Sequence, residues 1–116
     1  EEQKEPSFNI IDEIFVSTNH LEGMSSAASV LKNITKYGNA LTIVITHYDL
    51  LTKLDVPQIS NKHFAADISS NGTVICDFKL KDGANTKHQA ISLMKSSGFD
   101  NEIVETAKDI YKEITK

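Results

Sequence analysis

The hydrophobic pattern at the start of the chain predicts a strand followed by a helix. Phe8, Ile10 and Ile11 form a short apolar run, typical of a buried strand that ends at Asp12. Gly23 is expected to separate a loop from the helix, and Gly38 is a natural C-cap. Between these glycines the apolar residues recur at offsets of three and four, which places them on one helix face. This stripe consists of Met24, Ala27, Ala28, Leu31 and Ile34.

A second strand is predicted at residues 41–45, because this run is nearly all apolar and β-branched. Such a composition is typical of a strand covered on both faces. The order strand, helix, strand indicates a right-handed parallel crossover. Beyond it, Leu50, Leu51 and Leu54 predict a short helix that Pro57 ends.

The pattern then changes to a β-hairpin. Residues 63–68 and 73–80 are predicted strands, and Ser70, Asn71 and Gly72 between them carry the Asn-Gly turn signal. In the second strand Val74, Cys76, Phe78 and Leu80 alternate with mostly polar residues, so one face is expected to be buried. Asp82 and Gly83 are expected to turn the chain out of the hairpin.

Two helices are predicted at the end of the chain. The first covers about residues 88–97 and stops at Gly98. The second begins with Asp100 as N-cap, and Phe99 can staple onto Val104. Its apolar stripe, widened by Val104 and Tyr111, needs another surface to cover it. The stripe consists of Ile103, Ala107, Ile110 and Ile114.

Composition and charge narrow the function classes. A chain of 116 residues with 40% hydrophobic content fits one small globular domain. Its net charge is −4 and all 12 cations are lysine, so it is not expected to form a nucleic-acid-binding surface or to supply an arginine finger. No apolar run approaches the ~20 residues that span a bilayer. The polar, acidic start lacks a signal-peptide pattern, so an intracellular setting without membrane contact is the default expectation.

Most of the isolated reactive residues are expected to be structural. Cys76 is the single cysteine and is expected to be a buried, inert thiol. His20, His63 and His88 match no metal-ligand spacing and are expected to be surface or hairpin side chains. A modest cationic cluster is more typical of a solvated face than of a DNA site. It consists of Lys79, Lys81 and Lys87.

Polar side chains follow both strands of the predicted parallel pair. Asp12 and Glu13 end the first strand, and His47 follows the second. Ligands bind outside the carboxyl ends of parallel strands, so these groups are predicted to converge on a nucleotide phosphate and its magnesium ion. Asp12 would hold the metal through water, Glu13 would polarise an attacking water, and His47 would sense the terminal phosphate. The alternatives are an acidic pair that serves solubility or helix capping, and a satisfied histidine at a strand end.

The order of these motifs resembles the MutS mismatch-repair ATPase family. The matching residues are Asp12-Glu13-Ile14, Thr18-Asn19, Glu22-Gly23, a helix, an apolar strand and Thr46-His47-Tyr48. The similarity continues with Phe78-Lys79-Leu80, Asp82-Gly83-Ala84 and two helices around Gly98, so it covers residues 8–115. It implies an α/β fold: part of a P-loop (ABC-type) ATPase sheet with parallel strands in residues 1–57, a β-hairpin in residues 58–83, and a C-terminal helix-turn-helix dimerisation element in residues 84–116.

The resemblance also implies roles for individual residues. Asp12 matches the Walker B aspartate that holds Mg²⁺, Glu13 the general base, and His47 the switch histidine of the γ-phosphate. Thr18 and Asn19 match a loop that crosses to the partner subunit's nucleotide site, although a helix-entry cap is equally compatible with them. The implied cofactors are ATP and Mg²⁺, and the implied partner is a second MutS-like subunit. DNA would be bound through regions outside this chain.

Three features qualify the resemblance. The Gly-rich Walker A pattern does not occur in these 116 residues, so the segment by itself is not expected to hydrolyse ATP. Phe15-Val16-Ser17 stands where the family commonly has Gly-Arg-Gly, and His88-Gln89-Ala90 where it has Ser-Tyr-Gly. The arginine-free, Lys/Asn/Ile-rich composition suggests a divergent relative from an AT-rich genome, such as a large DNA virus.

Two rival functions remain open at this stage. One is a non-catalytic dimerisation or partner-recruitment module in which the Asp12-Glu13 pair is vestigial. The other is an ATPase of the chromosome-maintenance or transporter type, built on the same sheet. Those ATPases usually follow the acidic pair with proline or alanine, whereas Ile14 occupies that position here.

Overall fold

The computed structural model describes residues 5–87 and 89–116, and its elements fall into two units, Glu1–Ser60 and Asn61–Lys116. The first unit contains β1 (Ser7–Asp12), α1 (His20–Ile34), β2 (Ala40–Ile45) and α2 (Asp49–Thr52). The second contains β3 (Lys62–Ile68), β4 (Val74–Asp82), α3 (Ala90–Ser96) and α4 (Asn101–Ile114). The predicted α/β class is confirmed, with a parallel strand pair, an antiparallel hairpin and C-terminal helices.

The first unit is built on a parallel pair of strands, as predicted. β1 and β2 run in register from Ser7 opposite Ala40 to Asp12 opposite Ile45. The core of this unit is formed by helices α1 and α2 together with the tyrosine that precedes α2. Its buried members are Ala27, Leu31, Tyr48 and Leu51, and Ile14, Met24, Ala28, Val44, Leu54 and Ile59 pack against them.

One face of this sheet is exposed in the described residues. Leu41 is 65% exposed, and the other large apolar residues of this face are similarly open. We call it the open sheet face, and it consists of Phe8, Ile10, Leu41, Ile43 and Ile45. The expectations of a buried first strand and a second strand covered on both faces are therefore wrong here. The strands have the predicted apolar character, but the helical core packs on the side of Val44 only.

Helix α1 has different ends from those predicted. It begins at His20, with Asn19 as N-cap, so Gly23 lies inside the helix and is buried. It ends at Ile34 with Thr35 as C-cap, and Gly38 is not among the residues with positive φ. The predicted C-cap role of Gly38 is wrong, because the last turn closes through the backbone N–H of Thr35, which donates to Leu31 O. The short helix α2 is confirmed, although it ends at Thr52, ahead of Pro57.

The predicted hairpin is confirmed, with β3 and β4 antiparallel. In the turn, Gly72 has a φ of +84° and its backbone N–H donates to Ser69 O at 2.9 Å. The pairing shifts register between Phe64 and Ala66, which forms a bulge around Phe78. Phe78 has a φ of +56° and is 85% exposed.

The expectation that one face of β4 is buried is wrong. All nine residues of the strand are exposed, and the thiol of Cys76 is exposed rather than buried. The alternation of Val74, Cys76, Phe78 and Leu80 correctly indicated a strand. Alternation reports which residues share a face, whereas burial requires a second layer on that face. Among the described residues no second layer covers β4.

The two C-terminal helices contact each other and meet at a glycine turn, as predicted. Position 88, where α3 was expected to begin, lies outside the described residues. The end of α3 is a Schellman turn, in which the N–H groups of Gly98 and Phe99 donate to Lys95 O and Met94 O. Asp100 takes the N-cap position of α4, although its side chain makes no capping hydrogen bond. Val104 is buried, whereas Ile103, Ile110 and Ile114 of the stripe are exposed.

Within the described ranges, no helix is both long and apolar enough to cross a membrane.

Candidate functional site

The carboxyl ends of β1 and β2 bring one residue of the predicted acidic pair, Glu13, into contact with the predicted histidine, His47. Asp12 and Ile45 are paired at the ends of the two strands, and the N–H of Glu13 donates to Ile45 O at 2.9 Å. His47 follows two positions later and returns towards Glu13. Its Nε2 atom lies 3.1 Å from Glu13 Oε1. The predicted convergence of Glu13 and His47 at one sheet edge is therefore present, while their chemical roles remain predictions.

Both side chains of this pair are accessible to a ligand. The side chain of His47 is 88% exposed and that of Glu13 is 44% exposed. A neutral imidazole can donate from Nε2 to the carboxylate, and a protonated one would form an ion pair with it. In either state Glu13 keeps a second oxygen that can accept a hydrogen bond from a water molecule. The geometry thus suits a carboxylate that orients a nucleophilic water and a histidine that orients the carboxylate.

Asp12 is the predicted magnesium residue, and its chemistry fits that ion. Its side chain is exposed at the end of β1, next to Glu13. Magnesium is usually held by one or two carboxylates, several waters and substrate phosphates, rather than by a cage of protein ligands. Accordingly, the fact that residues 5–87 and 89–116 contain no group of three or more potential metal-ligating side chains does not conflict with this role.

The segment between β1 and α1, residues 13–19, is here called the post-strand loop. Two of its residues have a positive φ, which is uncommon for residues other than glycine: Glu13 has a φ of +52° and Phe15 a φ of +60°. The hydroxyl of Tyr48 donates to Phe15 O at 2.7 Å, and Tyr48 is only 7% exposed. The aromatic ring also meets His20 edge-on, with ring centroids 5.3 Å apart. Tyr48 therefore contacts the loop and the first residue of α1.

Gly23 makes this arrangement possible. A Cβ atom at position 23 would lie 2.5 Å from the hydroxyl oxygen of Tyr48 and 2.8 Å from Phe15 O. Neither contact is tolerable, and the second is with backbone. The sequence pattern marked both Gly23 and Tyr48 as motif residues but assigned a role to neither of them in the site. Only their three-dimensional proximity reveals that they belong to one contact.

Thr18 and Asn19 lie at the end of the post-strand loop, and both are exposed. Asn19 is the N-cap of α1: its Oδ1 accepts from the N–H groups of Leu21 at 3.0 Å and Glu22 at 3.3 Å. The helix-entry interpretation is thus confirmed for Asn19. The role of both residues at a partner subunit's nucleotide site remains a prediction. The cap uses the side-chain oxygen of Asn19 and not its amide nitrogen, so it is compatible with that role.

Two lysines of the predicted cationic cluster, Lys81 and Lys87, belong to exposed ion pairs, as expected for a solvated face. Lys81 Nζ lies 2.9 Å from Asp77 Oδ2, and Lys87 pairs with Asp67. The hydrogen bond and charge of Lys87 lower the pKa of the Asp67 carboxyl. The pKa of Asp77 is lowered first by the N–H of Lys79 and then by Lys81. His63, a hairpin side chain as expected, places Nδ1 2.9 Å from Gly83 O.

Comparison with known proteins gives consistent matches along the chain. The family model described as MutS domain V matches residues 1–115. The DNA mismatch repair protein MutS of Bacillus subtilis (strain 168) is 32% identical over an alignment of 110 residues that covers 93% of this chain and 13% of that protein. The protein of the same name from Staphylococcus haemolyticus (strain JCSC1435) is 33% identical over 91% of this chain and 12% of its own length. The chain thus spans about an eighth of the length of these relatives.

Proposed function

The chain belongs to the MutS family, and we propose that it is the C-terminal part of an ATPase domain that acts in DNA mismatch repair. In this proposal ATP binding and hydrolysis are coupled to recognition of a DNA mismatch or another DNA structure. The observation that carries the proposal is the contact of 3.1 Å between His47 Nε2 and Glu13 Oε1 at the ends of two parallel strands. Such an edge is where open α/β sheets bind their ligands.

Each residue of the edge has a distinct role in this proposal. Asp12 would hold Mg²⁺ through water, Glu13 would take a proton from the attacking water, and His47 would first orient Glu13 and then donate a hydrogen bond to the γ-phosphate. The bound Mg²⁺ supplies charge neutralisation for the phosphates. Hydrolysis also needs backbone N–H groups and a lysine around the β- and γ-phosphates, and residues 1–116 contain no Walker A pattern for this. We infer that residues outside this chain provide them and that the chain by itself does not hydrolyse ATP.

Each unit has exposed apolar residues, and these support the proposal that the chain is part of a larger ATPase. The open sheet face is a continuous apolar surface of the kind that another layer normally covers, which is consistent with a larger P-loop sheet. The exposed apolar residues of α4, such as Ile103 and Ile114, are consistent with a helix-turn-helix that pairs with a second MutS-like subunit. The net charge of −4 supports the proposal that DNA is bound by other regions of the protein.

The decisive experiment is Glu13→Gln in the intact protein, with Glu5→Gln as the matched control. Glu13→Gln keeps the size and polarity of the side chain but removes the base, so steady-state ATP turnover should fall by about 10² or more. Glu5 is exposed and belongs to neither the site nor the post-strand loop. If Glu13→Gln turns over ATP as fast as Glu5→Gln, the catalytic proposal is wrong.

A second candidate is a non-catalytic dimerisation or recruitment module. The observation in its favour is the exposed apolar stripe of α4, where Ile114 is 75% exposed. Both candidates predict that Ile110→Asp abolishes self-association measured by sedimentation, but under this alternative Glu13→Gln would have no effect on turnover. The catalytic proposal predicts an effect of Glu13→Gln on turnover without a change in association.

A further inference from the structure

We propose that Tyr48 is a positioning residue that holds the post-strand loop so that Glu13 faces His47. The proposal concerns a residue to which the sequence pattern gave no role. It rests on the proposed ATPase function for its effect on turnover, but its structural part stands on the contacts of the first unit.

Tyr48 contacts the loop at its centre and also contacts the residue that follows the loop. Its hydroxyl donates to the Phe15 carbonyl at 2.7 Å, and its ring lies against His20, the first residue of α1. The preceding residue, His47, contacts Glu13 at the start of the loop. Two adjacent residues therefore contact Glu13 and Phe15, and a single peptide unit joins the two contacts.

The loop needs such support because its backbone is strained. Glu13 and Phe15 both have positive φ, which is uncommon for residues with a side chain and a clear outlier for a bulky one. Strained conformations of this kind persist only when the surroundings determine them. The hydrogen bond to Phe15 O is a direct contact between a buried side chain and the strained segment.

Tyr48 can reach the loop because the position facing it is glycine. Any Cβ at position 23 would collide with the Tyr48 hydroxyl and the Phe15 carbonyl. The hydroxyl is thus fitted between α1 and the loop. A phenylalanine at position 48 would fill nearly the same volume but would leave the Phe15 carbonyl without this donor.

The test is Tyr48→Phe in the intact protein, with Tyr37→Phe as the control. Hydrogen exchange is followed by mass spectrometry on peptides that cover residues 13–19 and, separately, on peptides that cover α1. Loss of one ordinary hydrogen bond should speed exchange in the loop about fivefold and leave exchange in α1 unchanged. Tyr37→Phe removes a hydroxyl of the same unit from a half-exposed ring away from the loop, and should change neither peptide.

Steady-state kinetics supply the readout that a purely structural role would not give. Because the Tyr48 hydroxyl acts on Glu13 geometry rather than on nucleotide affinity, kcat should fall about tenfold with KM for ATP unchanged. Gly23→Ala would displace the Phe15 carbonyl as well as the Tyr48 hydroxyl, so it should also lower kcat.

Each outcome has a distinct meaning. Loop exchange in Tyr48→Phe equal to that in Tyr37→Phe overturns the proposal, as does faster exchange spread over the whole of α1, which would indicate general unfolding. Faster loop exchange with an unchanged kcat overturns the positioning role. The exchange measurement requires no hydrolysis, so it decides the structural claim even if Glu13→Gln refutes the proposed function.

Discussion

The Nε2 atom of His47 lies 3.1 Å from Oε1 of Glu13, although the two residues are separated by a loop, a helix and a strand. Parallel pairing of β1 and β2 produces this contact, because it places the ends of both strands at one edge. The contact makes the histidine a direct partner of the proposed base.

Replacement of His47 should therefore impair turnover more than nucleotide binding. His47→Ala removes the donor that orients Glu13 and contacts the γ-phosphate in our proposal, so we expect ATP turnover to fall about 10²-fold. Binding of a fluorescent ATP analogue should change by less than about fivefold, the effect of about one ordinary hydrogen bond. His63→Ala, in the hairpin of the other unit, is the control. Equal turnover in the two variants would contradict the assignment of His47.

The strain at Phe15 gives a prediction about a single backbone position. The related family commonly has glycine there, and glycine adopts positive φ without the cost of about 1–2 kcal/mol paid by other residues. Phe15→Gly should therefore leave exchange of the post-strand loop unchanged or slow it. Val16→Gly, at a neighbouring exposed position without positive φ, should speed loop exchange by adding flexibility. If both variants speed exchange equally, Phe15 is not strained in solution.

Asn19 allows the capping role to be separated from the proposed cross-subunit role. Asn19→Asp keeps an oxygen that accepts from the N–H groups of Leu21 and Glu22, and a carboxylate is favourable at a helix N-terminus. Asn19→Ala removes the acceptor and should cost about 1 kcal/mol, seen as faster exchange in the first turn of α1.

ATP turnover then separates the two roles of Asn19. If the side-chain amide contacts the partner's nucleotide, Asn19→Asp should lower turnover while the helix stays capped. Wild-type turnover in Asn19→Asp would reduce Asn19 to a structural cap. Asn33→Asp, near the other end of α1, is a matched control for the added charge.

The sequence predicted those features that depend on patterns of residues close together in the chain. Periodicity identified the strands and helices, the Asn71-Gly72 turn identified the hairpin, and the order of elements indicated the parallel pair that joins Glu13 to His47. Gly98 correctly marked the end of α3, because a residue with positive φ closes a Schellman turn there.

The features that were missed depend on contacts between distant parts of the chain. Apolar character at Leu41 and alternation around Cys76 indicated strands, but burial depends on whether a second layer covers them. The positive φ of Phe15 cannot be deduced from its residue type, which normally avoids that region. The sequence pattern indicated a helix boundary at Gly23, whereas the structure shows that a side chain there would collide with the Tyr48 hydroxyl.

The bulge of the hairpin gives a prediction with a defined pH dependence. Asp77 Oδ1 accepts from the N–H of Lys79 at 3.0 Å, and this bond spans Phe78 with its positive φ. The bond, followed by the contact with Lys81, lowers the pKa of Asp77 from its ordinary value of 3.8. A carboxyl with a lowered pKa stabilises the fold at pH values above the ordinary pKa, and this contribution is lost as the pH falls through the lowered value.

The amide proton of Lys79, followed by NMR, should therefore shift with a midpoint below 3.8. Asp77→Asn keeps an oxygen acceptor but cannot titrate, so its Lys79 amide should stay hydrogen-bonded without this transition. Asp77→Ala removes the acceptor and should speed exchange at residues 77–79 at all pH values. Because Asp77 is exposed, the effect on global stability should be small. A wild-type midpoint at or above the ordinary carboxyl pKa of 3.8 would show that the hydrogen bond from the Lys79 N–H to Asp77 does not form in solution.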